Sequence, residues 1–333
     1  MSTKMYTPRR HLMVIQALPH RARLLVAALC AVLMPMAFST TASASPHPYV
    51  HSHPRTWQVA VGQETPNAAI QGMAFLPGTV WINQGDKINW TARAGEIHTV
   101  TFLATGQPLL PFNPGDPTQL FPQGGPRPSY DGVSYYNSGV MTNKTTSGFP
   151  AQTTYQLRFD TSGDFTYYCL VHGQMMKGTV HVRPAGTHYP FTQKQYDHQA
   201  AVQTASILRD GARLWAETRQ NATRHLVFVG ADDGTAMVMR FIKDNVTIRV
   251  GSSITFVNSG MAAPHTVTFG PEQPNIFVPY GDPTNFTGQQ LNSGIMLPGS
   301  SFTVTFTKAG TYHFICGLHD YLGMVGTVKV KND

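Results

Sequence analysis

Apolar and polar positions alternate with a period of two along most of this chain. Tyr155, Leu157 and Phe159 fall on one side of that period, and Phe302, Val304 and Phe306 do the same further on. Phe165, Tyr167 and Cys169 share a face, as do Tyr312, Phe314 and Cys316. His98 shares parity with Val100 and Phe102, and His265 with Val267 and Phe269. Short alternating runs bounded by turn residues predict half-buried strands whose apolar faces pack together as sandwiches. One stretch departs from the pattern. Between residues 185 and 222, Ala201, Ala205, Leu208, Ala212 and Trp215 recur at steps of three and four, which predicts an apolar stripe on a helix. Gly211 sits inside that stripe and weakens the helix.

The strands and turns recur in a fixed order. Gly85-Asp-Lys-Ile-Asn-Trp90 leads to His98-Thr-Val-Thr-Phe, then Gly115-Asp-Pro-Thr, Asn137-Ser-Gly-Val-Met and Tyr168-Cys-Leu-Val-His. The second series runs from Gly251-Ser-Ser-Ile-Thr-Phe through His265-Thr-Val-Thr-Phe, Gly281-Asp-Pro-Thr and Asn292-Ser-Gly-Ile-Met to Ile315-Cys-Gly-Leu-His. Such an internal repeat predicts two tandem all-β sandwich domains, at 56–184 and 223–333, joined by a helical linker over 185–222. His and Cys are 71 residues apart in the first copy and 51 in the second. The extra residues lie mostly in a Pro-rich stretch around Pro108–Pro128, expected as a surface loop.

The N-terminus reads as a processing segment. Arg21 and Arg23 precede an apolar run from Leu24 to Phe38, and Ala42-Ser-Ala44 supplies small residues for cleavage. Residues 1–44 are therefore expected to be a signal peptide, with Arg9-Arg10 a weak pointer to a twin-arginine route. The mature chain would be periplasmic or extracellular, with no transmembrane anchor. This segment changes the charge picture, because it holds five of the 24 Lys and Arg and none of the 17 acidic residues. The remainder nets +2, which gives nucleic-acid binding no support. A polar tail over 45–55 follows, carrying His47, His51 and His53. Pro46 lacks the backbone N–H that an amino-terminal Cu(II) chelate with His47 would need.

Beyond Cys30 in the leader, only Cys169 and Cys316 remain. Each stands in its own copy of the repeat with His and Met at similar offsets, so a metal reading outranks a disulfide. Thiolate, imidazole and thioether on one loop, with a second imidazole from an upstream strand, suit a copper ion that cycles between Cu(I) and Cu(II).

Both copies resemble cupredoxins of the plastocyanin type. The second is the nearer match, with Tyr-His-Phe-Ile-Cys-x-x-His-x-x-x-x-Met-x-Gly-x-Val at 312–328. The resemblance implies Greek-key sandwiches, each with one type 1 (blue) copper, two per chain. It implies His265, Cys316, His319 and Met324 as ligands in the second copy, and His98, Cys169, His172 and Met176 in the first. Met176-Lys-Gly-Thr-Val fits the pattern better than Met175, which stays open as the alternative. It also implies that His172 and His319, on exposed loops, are the electron ports.

Related two-domain copper enzymes carry further ligands: several His-x-His pairs, or a His directly before the blue-copper Cys. Here Tyr168 and Ile315 hold that position, and the one His-x-His is His51-Ser-His53 in the tail. The leading expectation is a non-enzymatic electron carrier whose partners are redox protein donors and acceptors. Copper buffering or delivery is the first alternative, and a copper oxidoreductase with an unrecognised catalytic copper the second. Oligomeric state is left open by the sequence.

Overall fold

The computed structural model describes residues 53–125, 129–272 and 274–332. The expected signal peptide at 1–44, and His47 and His51 of the tail, lie outside them, while His53 is exposed. The first half begins with β1 (Thr56–Glu64), β2 (Ile70–Leu76), β3 (Thr79–Asn83) and β4 (Lys87–Ala92). After β5 (Thr101–Phe102) come a one-turn helix α1 (Pro117–Leu120), β6 (Tyr136–Asn137) and β7 (Thr154–Arg158), then β8 (Gly163–Cys169) and β9 (Gly173–Arg183). Helix α2 (Gln193–Asn221) follows. The second half repeats the first with β10 (Leu226–Asp232), β11 (Ala236–Ile242), β12 (Asn245–Arg249), β13 (Ser253–Val257) and β14 (Thr268–Phe269). It ends with β15 (Leu291–Asn292), β16 (Ser301–Thr305), β17 (Gly310–Ile315), a short 3-10 turn at Asp320–Leu322, and β18 (Val325–Lys331).

Each half is a two-layer sandwich. In the first, β2-β1-β4-β7 faces β3-β9-β8-β5-β6; in the second, β11-β10-β13-β16 faces β12-β18-β17-β14-β15. The alternation in the sequence has the expected result: Val100, Phe102, Tyr167 and Cys169 are buried in one core, and Val267, Phe269, Phe314 and Cys316 in the other. Trp90, Phe102, Phe159 and Tyr167 pack ring against ring in the first. Phe256, Phe269, Phe306 and Phe314 do so in the second.

The two sandwiches are fused rather than strung together. β2 pairs antiparallel with β11, matching Gly72 with Ala236, Gln71 with Met237 and Ile70 with Val238. These are corresponding strands of the two repeats, so the pairing has local two-fold symmetry about Gln71 and Met237. One eight-stranded sheet results, and each domain loses an open edge that would otherwise invite pairing with other chains.

Helix α2 lies across this seam, packed on β1, β2, β10 and β11. Thr192 caps its start in a capping box with Gln195. Its inward face keeps only part of the stripe expected from the sequence: Leu208 and Trp215 are half-buried, and Trp215 packs on the Ala231, Val238 and Ile242 cluster. Ala201, Ala205 and Ala212 are exposed, and the inward line runs through Thr204, Ile207, Gly211 and Leu214. Gly211 is the reason. A Cβ there would lie 2.4 Å from Ile70 Cγ2 and 3.1 Å from Ala236 Cβ, on the two strands that form the seam. The glycine that weakens the helix in isolation is the point of closest approach in the folded chain. Gly211→Ala is therefore expected to destabilise. A gain of about 1 kcal/mol in helix propensity opposes an overpacking cost of about 1–3 kcal/mol against a stiff β-branched side chain. A thermal melt showing Tm unchanged or raised would contradict this account of the seam.

Candidate metal centres

In each domain three side chains from distant parts of the chain converge. Cys169 Sγ lies 3.8 Å from His98 Nδ1 and 3.4 Å from His172 Nδ1. Cys316 Sγ lies 3.7 Å from His265 Nδ1 and 3.5 Å from His319 Nδ1, and the two imidazole Nδ1 atoms are 3.1 Å apart. Bonds of about 2.0–2.3 Å from a first-row ion to nitrogen and sulfur, about 100–120° apart, would separate the donors by roughly 3.1–3.8 Å. The observed spacings fit one ion shared by each trio. Among the described residues, these are the two groups of His, Cys or acidic side chains close enough to hold a metal.

The methionines behave differently from one another. Met176 and Met324 are 1% and 0% exposed, and each belongs to the core cluster that contains its domain's cysteine. Met175 is 39% exposed, and its sulfur lies against Gly234 of the second domain.

The repeated motifs hold these donors in place. The backbones of His98 and Met141 exchange two hydrogen bonds of 2.9 and 2.8 Å, and those of His265 and Met296 two of 3.1 and 2.8 Å. The Asn-Ser-Gly turns brace the same segments, since Val100 N–H donates to Ser138 Oγ and Val267 N–H to Ser293 Oγ, both at 2.8 Å. The Thr after each upstream histidine has two tasks. Thr99 and Thr266 N–H donate to Cys169 and Cys316 Sγ at 3.4 and 3.3 Å. Their hydroxyls accept from Leu170 and Gly317 N–H at 2.8 and 2.7 Å, which ties down the loop after each cysteine.

Two further residues in each domain escaped the sequence reading. Gly62 and Gly230 stand at bulges in β1 and β10, with φ of +69° and +75°. A Cβ at Gly62 would lie 2.3 Å from His98 Nε2, and one at Gly230 would lie 2.5 Å from His265 Nε2. The visible signal was the repeated Val-Gly pair, Val61-Gly62 and Val229-Gly230. Two residues on, Glu64 accepts Gly95 N–H, and Asp232 accepts the amides of Met261, Ala262 and Ala263. Both thereby shape the approach to the upstream histidine.

Burial sets the protonation of every donor. It pushes the Cys169 and Cys316 thiols up to about 11, against the opposing pull of backbone N–H groups. It depresses His98 and His265 well below the ordinary imidazole range, His172 to about 4 and His319 to about 3. Neutral imidazoles are ready ligands, whereas each thiol must yield its proton to the incoming ion. A depressed histidine pKa means that the unfolded chain takes up protons first as pH falls. The four histidines of the copper-free protein should cost no stability above pH 6.5, the ordinary value, and should destabilise it steadily from there toward about 4, with the raised carboxyl of Glu96 offsetting a smaller part. Each histidine contributes on the order of 1.4 kcal/mol per unit of depression. Urea melts of copper-free protein across that range check the sign.

One expectation is corrected. His172 and His319 are not on exposed loops; each is 6% exposed. The second domain's loop turns inward, with Leu322 buried in the first domain's core and Tyr321 Oη donating to Gly95 O at 3.3 Å. Arg240 locks the contact by donating to Leu322 O and Asn67 O. Glu96, in the first domain, is buried with Oε2 3.7 Å from His319 Nε2, and that oxygen has no hydrogen-bond partner. Desolvation pushes its carboxyl up to about 8, opposed by the Ile97 N–H. The corresponding residue of the second copy is Ala263, so the hint in the sequence was one acid that breaks the repeat.

Comparison with known proteins agrees with this geometry. The profile described as copper binding proteins, plastocyanin/azurin family, matches residues 63–183 and 227–331, more than half of the chain. Plastocyanins from Sambucus nigra and Solanum crispum are each 34% identical over 105 residues, covering 32% of this chain and 98% of the relative. Among solved structures, reduced auracyanin from Roseiflexus castenholzii aligns at 23% identity with a TM-score of 0.24, over 32% of this chain and 94% of that one.

Proposed function

Because the chain belongs to the plastocyanin/azurin family of copper-binding proteins, we propose that it is a two-centre electron-transfer protein with one type 1 copper in each domain. The assigned ligands are His98, Cys169, His172 and Met176 in the first domain and His265, Cys316, His319 and Met324 in the second. The observation that carries the reading is the convergence of one Sγ and two imidazole Nδ1 atoms in each buried site. Buried Met176 and Met324 would supply the thioether donors, a choice supported by the exposure of Met175.

Bound copper supplies a one-electron couple between Cu(I) and Cu(II). The chain does the rest. Neutral imidazoles and a thiolate offer donors acceptable to both oxidation states, and Thr99 and Thr266 N–H hold the sulfurs in position. The paired backbones of His98 with Met141 and His265 with Met296 resist movement of the upstream ligands, so little rearrangement accompanies the change of charge. The aromatic cores behind each cysteine exclude water. Export to the periplasm or cell exterior is part of the proposal, supported by the basic-apolar-small pattern of residues 1–44.

The test is a visible and EPR spectrum of the copper-loaded protein with copper counted per chain. Two coppers, both with an intense thiolate charge-transfer band and narrow hyperfine splitting, are expected. A third copper, or one with ordinary tetragonal EPR, would replace this reading with a copper oxidoreductase. Ready loss of copper to an acceptor would favour delivery of the metal itself.

A further inference from the structure

The downstream histidines His172 and His319 are largely covered, each 6% exposed. What meets His319 Nε2 at 3.7 Å is a carboxyl oxygen of the other domain. Resting on the two-copper reading, we propose that Glu96 bridges the two centres and carries electrons between them across the domain boundary.

The route has one through-space step and is otherwise covalent. From His319 Nδ1 it crosses the ring to Nε2, then makes one through-space step of 3.7 Å to Glu96 Oε2. It continues down the Glu96 side chain and along the backbone through Ile97 to His98, which shares the first site with Cys169. Each part is held. Gln71, at the two-fold seam, accepts Glu96 N–H with Oε1 and donates to Ala68 O and Glu64 Oε2. Leu322, three residues beyond His319, is buried in the first domain's core, so the step cannot widen without separating the domains. A buried carboxyl oxygen with no hydrogen-bond partner costs stability. At the matching position the second copy carries Ala263 with no such cost, so the acid is not needed to build the fold.

In the transfer, one electron leaves one centre as Cu(I) becomes Cu(II), and it converts Cu(II) to Cu(I) at the other. No bond forms or breaks and no proton moves.

Pulsed one-electron reduction of fully copper-loaded protein tests the bridge. Met324→Gln, which changes an axial ligand, marks the second centre with a shifted band and a different potential. In that background, redistribution between the bands is expected as a first-order phase independent of protein concentration. Glu96→Ala should slow it by an order of magnitude or more. Glu96→Gln, which keeps the side-chain length and an oxygen at the contact, should restore it. Should Glu96→Ala fail to take up two coppers, Glu96→Asp decides, since withdrawing the carboxyl by one methylene should also slow the phase. A phase that depends on protein concentration, or one equally fast in the Ala or Asp variant, overturns the bridge while leaving the two-copper reading intact. Failure of the parent protein to bind two coppers overturns that reading instead.

Discussion

Replacing Cys169 with serine is expected to abolish the thiolate-to-copper band of the first domain while that of the second persists, leaving about half of the visible absorption. Cys316→Ser should do the converse, and the double variant should be colourless. Each sulfur is fully buried among its own aromatic core, with the next nearest donors the two imidazoles of its own domain. A serine hydroxyl is a hard and far weaker donor, so the soft ligand that holds Cu(I) disappears while the fold keeps a side chain of similar shape. Thr99 or Thr266 N–H then faces an oxygen in place of sulfur, a small loss beside that of the metal. Visible absorption and copper content per chain measure the result. A single variant that bleached both bands would mean that the centres are not built independently. One that bleached neither would remove the cysteines from the assigned ligands.

Gly62→Ala should impair the first centre without touching a ligand. The new methyl would lie 2.3 Å from His98 Nε2 and 2.6 Å from Ala94 Cβ, and the backbone there has φ of +69°. His98 Nε2 is buried with no hydrogen-bond partner, so packing against the bulge holds that edge of the ring. Displacing a group that orients a ligand costs about 10–100-fold in metal affinity. The first domain's band should weaken or disappear, and Gly230→Ala should do the same to the second through His265. Gly251→Ala separates steric from backbone effects. Gly251 has φ of +82° but open space where a Cβ would stand, so this variant carries the strain alone and should keep both bands. Copper titrations of the three variants decide the matter. Equal affinity in Gly62→Ala and the parent would show that the bulge does not position His98.

Much of the site was legible because its donors lie next to their own anchors. His98-Thr-Val-Thr-Phe and His265-Thr-Val-Thr-Phe place a ligand, a tether, a core residue, another tether and a second core residue in consecutive positions. The alternation of a strand fixes which of them point inward. The repeat made the case twice over, and the resemblance favoured Met176 over Met175, which is the exposed one of the two. Gly211 misled for a complementary reason. Helix propensity is a property of the isolated segment, whereas the value of a missing side chain depends on what approaches it, here Ile70 and Ala236. Gly62 and Gly230 were passed over because only a bulge against a histidine some 35 residues away gives them meaning.

Local periodicity and spacing thus determined two all-β copper domains, their ligand types and the helix between them, since each follows from residues that are neighbours in sequence. The tertiary structure alone decided how the domains face one another. The seam of β2 with β11 sets one sandwich against the other, with His172 and His319 buried. Glu96 and His319 are 223 residues apart along the chain, and no pattern of period two or 3.6 relates them. Their meeting follows from burial of Leu322 and Tyr321 against the first domain, a surface contact that exists only once both sandwiches have folded.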